Sequence, residues 1–327
     1  MAEAVARPKV LYFVLGNRPL YELVESALPP EFELMTLESG SEAERLEKLR
    51  DAEVVIVGGG RLARHHIEAA PRLRFVQHQG VGYHDTVDVA ALRERQIPLA
   101  LAPGGTSIGV SEHTIMMMLA VCKRLAYLDS ELRRGVWHAN DMRAESRQIF
   151  GMTVGIVGLG RIGTEVARHL QGFGATLVYH DIVDIPAEVE RELKVRRVGF
   201  DELLALSDMV TLHLPLTELS HHMMNRETIG RMKPGAMLIN CARGPIVEEA
   251  ALVEALRSGH LAGVGLDTFE IEPPPHPTPL AEFRNVVLTP HNAPGTRDAM
   301  RMKMGDMFDN IQRFYRAEPL VDRVELD

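Results

Sequence analysis

The feature that most constrains this chain is an apolar run that leads directly into a glycine motif, Gly158-x-Gly160-x-x-Gly163. The run, Val154 to Val157, predicts a strand, and Thr164 to Phe173 predicts a helix with one buried face. In such a unit the first glycine permits a tight turn, the second lets the backbone approach a pyrophosphate, and the third lets the helix pack closely on the strand. The N-terminus of the helix then points N–H groups at the phosphates. The sequence therefore predicts a dinucleotide site.

An acidic residue follows where the ribose of a dinucleotide would lie. Thr176 to His180 predicts a second strand, and Asp181 comes directly after it, 18 residues beyond Gly163. A carboxylate there accepts hydrogen bonds from the ribose hydroxyls and repels a 2′-phosphate. The adjacent Ile182 and Val183 supply no arginine to bind such a phosphate. We therefore predict NAD in preference to NADP, although an aspartate that only caps a turn would give the same pattern.

The composition is ordinary for a globular protein and excludes several classes of function. The 327 residues suffice for two domains, with 46% apolar and 25% charged residues. The net charge of −9 leaves no basic surface for nucleic acid or an anionic membrane, and clusters such as Arg191 to Arg197 alternate with acids like a solvated surface. No apolar run approaches a membrane span, and the first residues lack a signal-peptide core. Only Cys122 and Cys241 are present, too few for a disulfide framework, so we expect a reducing, cytoplasmic location.

Fourteen histidines raise the question of a metal site. The adjacent pairs His65-His66 and His221-His222 are expected to point their side chains in divergent directions, and the chain contains no H-E-x-x-H motif. We therefore predict no metal ligands.

Strands and helices alternate along the chain, which is typical of parallel sheets covered by helices. The first hundred residues alternate in this way without a second glycine motif. A long predicted helix, Ser111 to about Arg133, leads into the unit with the motif, and another, Thr296 to Phe314, would return the chain to the first unit. We predict an α/β fold with two domains: a Rossmann doubly wound parallel sheet for NAD over residues 103–294, and a smaller flavodoxin-like substrate domain formed by both chain ends, residues 1–102 and 295–327.

Three polar residues follow predicted strands of the second unit, at the edge where open α/β sheets bind ligands. Arg243 could clamp a substrate carboxylate and polarise the adjacent carbonyl. His291 could take a hydroxyl proton in oxidation and return it in reduction. Glu272, if it lies beside His291, would orient the ring and favour its charged form. This set suits hydride transfer with a nicotinamide cofactor, although each residue alone could equally be a cap, a surface ion pair or a turn residue.

Several separate motifs resemble those of the D-isomer-specific 2-hydroxyacid dehydrogenase family, over about Val54 to Leu320. They are Gly80–Tyr83, Val154–Gly163, Ser207–Thr217, Asn240–Gly244, Leu266–Pro273 and Thr289–His291. Together these motifs are highly specific to the family. The resemblance implies a dehydrogenase that interconverts a D-2-hydroxy acid and its 2-oxo acid, with Arg243 as carboxylate clamp, Glu272 as the partner of the histidine, and His291 as acid/base.

The resemblance also implies roles for residues that no pattern singles out. Backbone N–H groups of Val81 and Gly82 would hold the substrate carboxylate beside Tyr83. Asp267 would bind the nicotinamide carboxamide. Together with the glycines of the motif and Asp181, the full set predicted to bind the cofactor is Gly158, Gly160, Arg161, Ile162, Gly163, Asp181, His213, Pro215, Cys241, Ala242, Asp267 and His291.

Departures from the family pattern affect the substrate rather than the chemistry. Glycines occupy positions 58–60, where relatives have an arginine and a serine. A phosphorylated substrate would therefore depend on Arg61, Arg64 or Arg18. The sequence does not identify the side group of the substrate.

Two alternatives remain open, and the resemblance adds an expectation about assembly. One alternative is an NADPH-preferring glyoxylate/hydroxypyruvate reductase, and the other is a non-catalytic NAD-sensing scaffold of the same fold. Family members are typically homodimers joined through the cofactor domain, where Gly135 to Trp137 lies. We therefore expect a homodimer that binds a small-molecule substrate and neither nucleic acid nor membrane.

Overall fold

The chain folds into two α/β units, each built around its own parallel sheet. The computed structural model describes residues 7–326. The first unit runs to Thr106 and resumes at Arg297, and the second unit is Ser107–Thr296. The strands are β1 (Lys9–Tyr12), β2 (Glu33–Met35), β3 (Val54–Val57), β4 (Phe75–His78), β5 (Leu99–Leu101), β6 (Thr153–Val157), β7 (Thr176–His180), β8 (Val195–Arg197), β9 (Met209–Leu212), β10 (Ala236–Asn240), β11 (Leu261–Leu266) and β12 (Val286–Leu288).

Helices connect these strands and cover the sheets. They are α1 (Arg18–Ala27), α2 (Glu42–Leu49), α3 (Arg64–Glu68), α4 (Val89–Glu94), α5 (Thr106–Lys123), α6 (Leu125–Arg133), α7 (Arg161–Leu170), α8 (Ala187–Leu193), α9 (Phe200–Leu206), α10 (Arg226–Gly230), α11 (Glu249–Arg257) and α12 (Arg297–Tyr315). Among the residues described, no helix is both long and apolar enough to cross a bilayer.

The first unit has the strand order β2-β1-β3-β4-β5, with every pair parallel. All four residues of β3 are buried, since apolar clusters cover both faces of the sheet. The order reverses between β1 and β3, as in flavodoxin-like folds. The flavodoxin-like prediction is therefore confirmed.

The second unit has the strand order β12-β11-β10-β9-β6-β7-β8, again entirely parallel. The chain leaves β6 towards β7 on one side and returns to β9 on the other. This is the Rossmann arrangement, with its switch point between the ends of β6 and β9. The predicted Rossmann sheet is confirmed.

Two local features differ from the sequence-based expectation. The long helix predicted from Ser111 to Arg133 is divided into α5 and α6 at Arg124, whose φ is +56°. The Arg124 guanidinium donates to the carbonyl oxygen of Ala262 at 2.8 Å, so the break is held by a contact with β11. The segment Arg191 to Arg197 contains a strand that was not predicted, β8 at the sheet edge, while Arg196 and Arg197 are exposed as expected of a solvated surface.

Candidate active site

In the turn between β6 and α7, protein packing requires glycine at two of the three motif positions but not at the third. Gly158 has a φ of +91°, and a Cβ there would lie 2.5 Å from the carbonyl oxygen of His213. A Cβ on Gly163 would lie 2.1 Å from the carbonyl oxygen of Gly158. A Cβ on Gly160 would meet no atom within 4 Å, so protein packing does not require glycine there. An open face at this position is what close approach of a pyrophosphate requires, and the turn therefore fits a dinucleotide.

Arg161 and Ile162 form the first turn of α7, directly after Gly160. Gly160 is the N-cap, and no side chain caps this helix. The backbone of the first turn is therefore placed where the resemblance implies contact with the pyrophosphate, and that contact stays a prediction.

Asp181 follows β7 and holds the glycine turn. Its Oδ2 accepts a hydrogen bond from the Leu159 N–H at 2.7 Å, and its Oδ1 accepts one from the Val183 N–H at 2.9 Å. Arg197 on β8 donates to the carbonyl oxygen of Asp181 at 2.9 Å and pairs with the carboxylate of Asp184. The carboxylate thus lies beside the turn, as ribose recognition requires. The same neighbourhood also contains an arginine that the local sequence did not indicate.

His213 lies at the switch point, directly after β9. Its N–H donates to the carbonyl oxygen of Val157, and its Nε2 lies 2.9 Å from Oγ1 of Thr211. Burial lowers the pKa of His213 to about 3, so the ring is neutral. Its Nδ1 is buried without a partner in the part of the chain that the structure describes. A buried nitrogen lacking a hydrogen bond at this position is consistent with a ligand site. Pro215, two residues later, is exposed.

Arg243 lies in a turn that Asn240 holds. Asn240, the buried last residue of β10, accepts from the Ala242 N–H at 3.0 Å and donates to the Arg243 carbonyl oxygen at 2.8 Å. A Cβ on the next residue, Gly244, would lie 1.8 Å from the carbonyl oxygen of Phe269. Glycine therefore lets the turn that carries the guanidinium pack directly on the loop that follows β11.

Cys241 lies in the same turn and is buried. Burial raises the pKa of its thiol to about 12, with an opposing hydrogen bond from Thr114. The thiol is therefore neutral, and only the backbone of this residue is suited to the cofactor contact that the resemblance implies.

Asp267 is fully buried and organises the loop that follows β12. Its Oδ1 accepts hydrogen bonds from Thr289 Oγ1 at 2.6 Å and the Asn292 N–H at 3.0 Å, and its Oδ2 accepts one from the Ala293 N–H at 2.9 Å. Its carbonyl oxygen accepts from the His291 N–H at 2.7 Å. These bonds hold the loop that carries His291. The contact with a nicotinamide carboxamide stays a prediction.

His291 and Glu272 form a hydrogen-bonded pair. Nδ1 of His291 lies 2.7 Å from Oε2 of Glu272, and Oε1 of Glu272 accepts from the Phe269 N–H at 3.0 Å. Their side chains are 38% and 36% exposed, so a ligand can reach them. Nε2 of His291 has no partner within residues 7–326. It is therefore the ring nitrogen available for proton transfer.

The carboxylate of the pair is ionised at neutral pH. Burial acts to raise the pKa of Glu272, but hydrogen bonds from His291 and Phe269 and the charges of His291 and Arg243 lower it below its usual value. An ionised carboxylate only accepts hydrogen bonds, so Nδ1 of His291 is the donor of this bond. Arg243 follows β10, which pairs with β11, so the turn that carries its guanidinium lies at the same carboxyl edge as the loop of Glu272. The edge of this sheet can therefore bind an anion and transfer a proton beside it.

Sequence analysis missed residues that support this site from behind. Glu270 accepts a hydrogen bond from the Glu249 N–H at 3.1 Å, and its own N–H donates to Glu249 Oε1 at 2.7 Å. Glu270 Oε1 also lies 2.7 Å from Nε2 of His222. These contacts tie the Glu272 loop to the start of α11. Their partners are distant in sequence, so no local pattern could have revealed them.

In the first unit, the predicted substrate loop follows β4. The carbonyl oxygens of Val81 and Gly82 accept hydrogen bonds from the Tyr83 N–H at 3.2 Å and from Thr86 Oγ1 at 3.1 Å. The Tyr83 ring stacks on His84 with ring centroids 4.1 Å apart. The Val81 N–H has no partner among the residues described. It is therefore available to an anion at the carboxyl edge of the five-stranded sheet.

Comparison with known proteins decides the family. Residues 115–293 match the model of the D-isomer specific 2-hydroxyacid dehydrogenase, NAD binding domain. The chain belongs to the D-isomer-specific 2-hydroxyacid dehydrogenase family. The matched segment contains the glycine turn, Asp181, Arg243 and the His291–Glu272 pair. NAD as the cofactor is therefore confirmed.

Similar proteins in this family carry different names. The chain is 40% identical over 254 residues to a glyoxylate reductase of Korarchaeum cryptofilum, covering 77% of this chain and 76% of that protein. It is 36% identical over 307 residues to a D-3-phosphoglycerate dehydrogenase of Methanocaldococcus jannaschii, covering 93% of this chain but only 58% of that protein. The holo D-mandelate dehydrogenase of Rhodotorula graminis has the same fold, with a TM-score of 0.85, 29% identity and 98% of each chain covered.

The three arginines on which a phosphorylated substrate would depend differ in whether an acidic side chain already binds them. The Arg64 guanidinium binds the carboxylate of Glu94 through two hydrogen bonds of 2.6 and 2.9 Å. Arg18 binds Glu22 at 2.6 Å. Arg61 is exposed and has no acidic partner in the described part of the chain. Of the three, Arg61 alone is available in this family member.

The expectation that adjacent histidines diverge is wrong. Nε2 of His65 and Nε2 of His66 lie 2.7 and 2.9 Å from the same oxygen of Glu42. Both rings lie in the first turn of α3 with centroids 4.1 Å apart, because a shared acceptor aligns them. The backbone N–H of Ala63 donates to Nδ1 of His66, so the proton of the neutral ring lies on Nε2. Glu42, His65 and His66 thus offer ligand atoms that lie within 4.8 Å of one another, and the absence of a metal site stays a prediction.

Proposed function

We propose that this chain is an NAD-dependent dehydrogenase that interconverts a D-2-hydroxy acid and its 2-oxo acid. The observation that supports this most directly is the His291–Glu272 pair, with Nδ1 held at 2.7 Å from the carboxylate and Nε2 available. The pair lies in the same unit as a glycine turn whose second glycine faces open space. A dinucleotide site combined with a supported histidine is what hydride transfer at a carbinol carbon requires.

The proposed roles follow from the chemistry of each side chain. His291 donates a proton from Nε2 to the carbonyl oxygen in reduction and accepts it from the hydroxyl in oxidation. Glu272 orients the ring and balances its positive charge. Arg243 binds the substrate carboxylate, and backbone N–H groups of Val81 and Gly82 are proposed to contact it as well. The nicotinamide, when bound, supplies or accepts the hydride.

The proposed substrate is a small, unphosphorylated acid. Arg64 and Arg18 are paired with glutamates. The Arg45 guanidinium lies 3.7 Å from where a Cβ of Gly60 would be, but it donates to the carbonyl oxygens of Gly40 and Phe13. A phosphate group requires guanidinium or ammonium donors, and Arg61 would be the single candidate of the three. The 40% sequence identity to a glyoxylate reductase, which covers 77% of this chain and 76% of that protein, also supports a small, unphosphorylated substrate.

A second candidate is an NADPH-preferring glyoxylate/hydroxypyruvate reductase. Asp181 argues for NAD, since its carboxylate lies beside the glycine turn and would repel a 2′-phosphate. Arg197 is the observation that favours the alternative, because it lies against Asp181 and could turn towards a phosphate. We expect kcat/KM to be at least about tenfold higher with NADH than with NADPH. A higher value with NADPH would favour the alternative.

The experiment that tests the function is a panel of 2-oxo acids, namely glyoxylate, hydroxypyruvate, pyruvate, 3-phosphohydroxypyruvate and branched acids. Oxidation of NADH is followed by absorbance. We expect turnover of at least one small unphosphorylated acid. Tight NADH binding without turnover of any acid would instead favour a non-catalytic NAD-sensing scaffold.

We further propose a cytoplasmic homodimer joined through the second unit. Val136 and Trp137 are 41% and 75% exposed. Exposed apolar residues of this kind are typical of a surface that contacts a second copy of the chain. Both cysteines are free thiols, which suits a reducing compartment. Light scattering of the purified protein should give twice the chain mass, and Trp137→Asp should reduce it to one chain mass.

A further inference from the structure

The side chain of Gln79 lies across the carboxyl ends of three neighbouring strands in the first unit. Gln79 directly follows β4, and its N–H donates to the carbonyl oxygen of Val57, at the end of β3, at 2.8 Å. Its Oε1 accepts a hydrogen bond of 2.8 Å from the hydroxyl of Tyr12, the last residue of β1. A Cβ on Gly58 would lie 2.0 Å from Nε2 of Gln79. The carboxamide therefore occupies the space that glycine leaves open after β3.

This position is the switch point of the five-stranded sheet. The strand order reverses between β1 and β3, and Tyr12 and Gly58 lie at the ends of those two strands. Open α/β sheets bind ligands in the crevice at such a reversal. The loop Gly80–Tyr83, to which the proposed function assigns the substrate carboxylate, begins at the next residue. The Gln79 amide thus lies at a ligand-binding position on two independent grounds.

The hydrogen bond from Tyr12 fixes which end of the amide is available. Tyr12 is fully buried, and burial raises the pKa of its hydroxyl above the usual value, so the proton is retained. That proton needs an acceptor, and Gln79 Oε1 provides it. A flipped amide would leave a buried hydroxyl proton unpaired, which is costly. Nε2 therefore stays beside Gly58, and it has no acceptor among the residues that the structure describes.

We propose that Gln79 is a specificity-determining residue that donates a hydrogen bond from Nε2 to the side group of the substrate, and so selects 2-oxo acids with a hydroxyl on C3. This inference rests on the proposed function. An uncharged amide donor suits a hydroxyl oxygen, whereas a phosphate would require a cation. A methyl group at C3 leaves the N–H unpaired, and sites built to bind a hydroxyl discriminate strongly against analogues that lack it.

Hydroxypyruvate and pyruvate test this, because they differ only by the C3 hydroxyl. We expect wild-type kcat/KM with NADH to be about tenfold or more higher for hydroxypyruvate. The variant Tyr12→Phe/Gln79→Met removes the donor together with its buried partner, so no hydroxyl is left unpaired. Its preference should fall to about twofold or less, while kcat/KM for pyruvate changes by less than about threefold. The Kd for NADH should be unchanged.

Two further variants separate recognition from structural support. Tyr12→Phe alone keeps the amide donor and should keep most of the preference. Gly58→Ala keeps the amide but displaces it, since the new methyl group would overlap Nε2. It should therefore lose the preference as the double variant does. Thermal melting by circular dichroism tests whether each variant is folded. If the double variant does not fold, Gly58→Ala alone tests whether Gln79 sets the preference for hydroxypyruvate.

The outcomes distinguish this inference from the function on which it rests. An unchanged preference in folded Gly58→Ala or in the double variant would show that Gln79 only supports the sheet edge. Equal losses for both acids would show the same. In either case the dehydrogenase would remain active and the proposed function would stand. Wild-type protein that reduces no 2-oxo acid would overturn both.

Discussion

The carboxyl edges of the two sheets use glycine for different purposes. In the second unit, Gly158 and Gly163 make room for backbone, with carbonyl oxygens 2.5 and 2.1 Å from where their Cβ atoms would lie. In the first unit, Gly58 makes room for a side chain, the carboxamide of Gln79. The first constraint lies within one strand–turn–helix segment. The second joins residues from three separate strands.

The two edges also differ in charge. Arg243, Glu272 and His291 place a cation, an anion and a titratable ring at the edge of the second unit, each held by backbone hydrogen bonds. At the first edge a neutral amide and a neutral phenol lie at the switch point, and the nearby guanidinium of Arg45 is bonded to the carbonyl oxygens of Gly40 and Phe13. We infer that the second edge carries out the chemistry and that the first edge selects the substrate. Substitutions at the second edge should therefore have the larger effect on rate.

The largest effect is expected for His291→Ala. Loss of the nitrogen that is proposed to transfer the proton should lower kcat by about 100-fold to 10,000-fold, the range for a general acid/base. Affinity for NADH, measured by fluorescence titration, should stay within about threefold, since the glycine turn is untouched. His65→Ala, which changes an exposed histidine of the first unit, is the matched control and should leave kcat unaltered. If the His291 variant kept most of its activity, His291 would not be the acid/base. The inference that the second edge carries out the chemistry would then fail as well.

A smaller loss is expected for Arg243→Ala. A hydrogen bond to a charged group contributes about 1.5–3 kcal/mol, so kcat/KM for the 2-oxo acid should fall by roughly 10-fold to 150-fold. Steady-state kinetics at saturating NADH measure it. Arg61→Ala in the first unit is the control, and it should matter little for an unphosphorylated acid. A greater loss for Arg61→Ala than for Arg243→Ala would reverse the roles of the two edges.

The glycines of the dinucleotide turn should separate stability from affinity. Gly163→Ala forces a methyl group against the carbonyl oxygen of Gly158 and should lower the free energy of unfolding by about 1–3 kcal/mol. Gly160→Ala meets no protein atom, so it should cost about 1 kcal/mol or less, yet raise the Kd for NADH by about tenfold. Urea denaturation and NADH titration of both variants measure these effects. Equal affinity for NADH in Gly160→Ala and wild type would mean that no pyrophosphate approaches this residue.

The sequence predicts most of the fold because its signals are local. Alternating strands and helices indicate parallel sheets, and the spacing of Gly158, Gly160 and Gly163 reflects contacts inside one short segment. Arg243 and His291 could be identified because the carboxyl ends of parallel strands meet at one edge. Their support could not, since the Asp267 carboxylate binds backbone more than twenty residues away.

What the sequence did not predict depends on contacts between distant segments. The break at Arg124 is held by a bond to Ala262, and the convergence of His65 and His66 requires Glu42 from another helix. Likewise, no residue next to Gln79 in the sequence indicates that its side chain contacts the hydroxyl of Tyr12 or fills the space at Gly58. These contacts join segments that are far apart in the sequence, so no local pattern of residues predicts them.

The smallest expected effect is on pH dependence, in Glu272→Gln. The pKa of Glu272 is lowered, so the carboxylate stabilises the fold above its unfolded-state pKa and loses this contribution only as pH falls through the lowered value. It is therefore charged at neutral pH and lies beside the ring that is proposed to donate the proton in reduction. Glutamine removes that charge, so the pH profile of kcat/KM for reduction should move to lower pH, by roughly half a unit for a partly exposed pair.

Glu270→Gln is the matched control for this shift. It removes a carboxylate from the same loop that also contacts a histidine, His222, at 2.7 Å, but one with no proposed part in proton transfer. Its profile should coincide with that of wild type. A shift in both variants would mean that the loop, rather than the pair, sets the pH dependence. A profile that stays in place in Glu272→Gln would mean that the 2.7 Å contact orients the ring without tuning its charge.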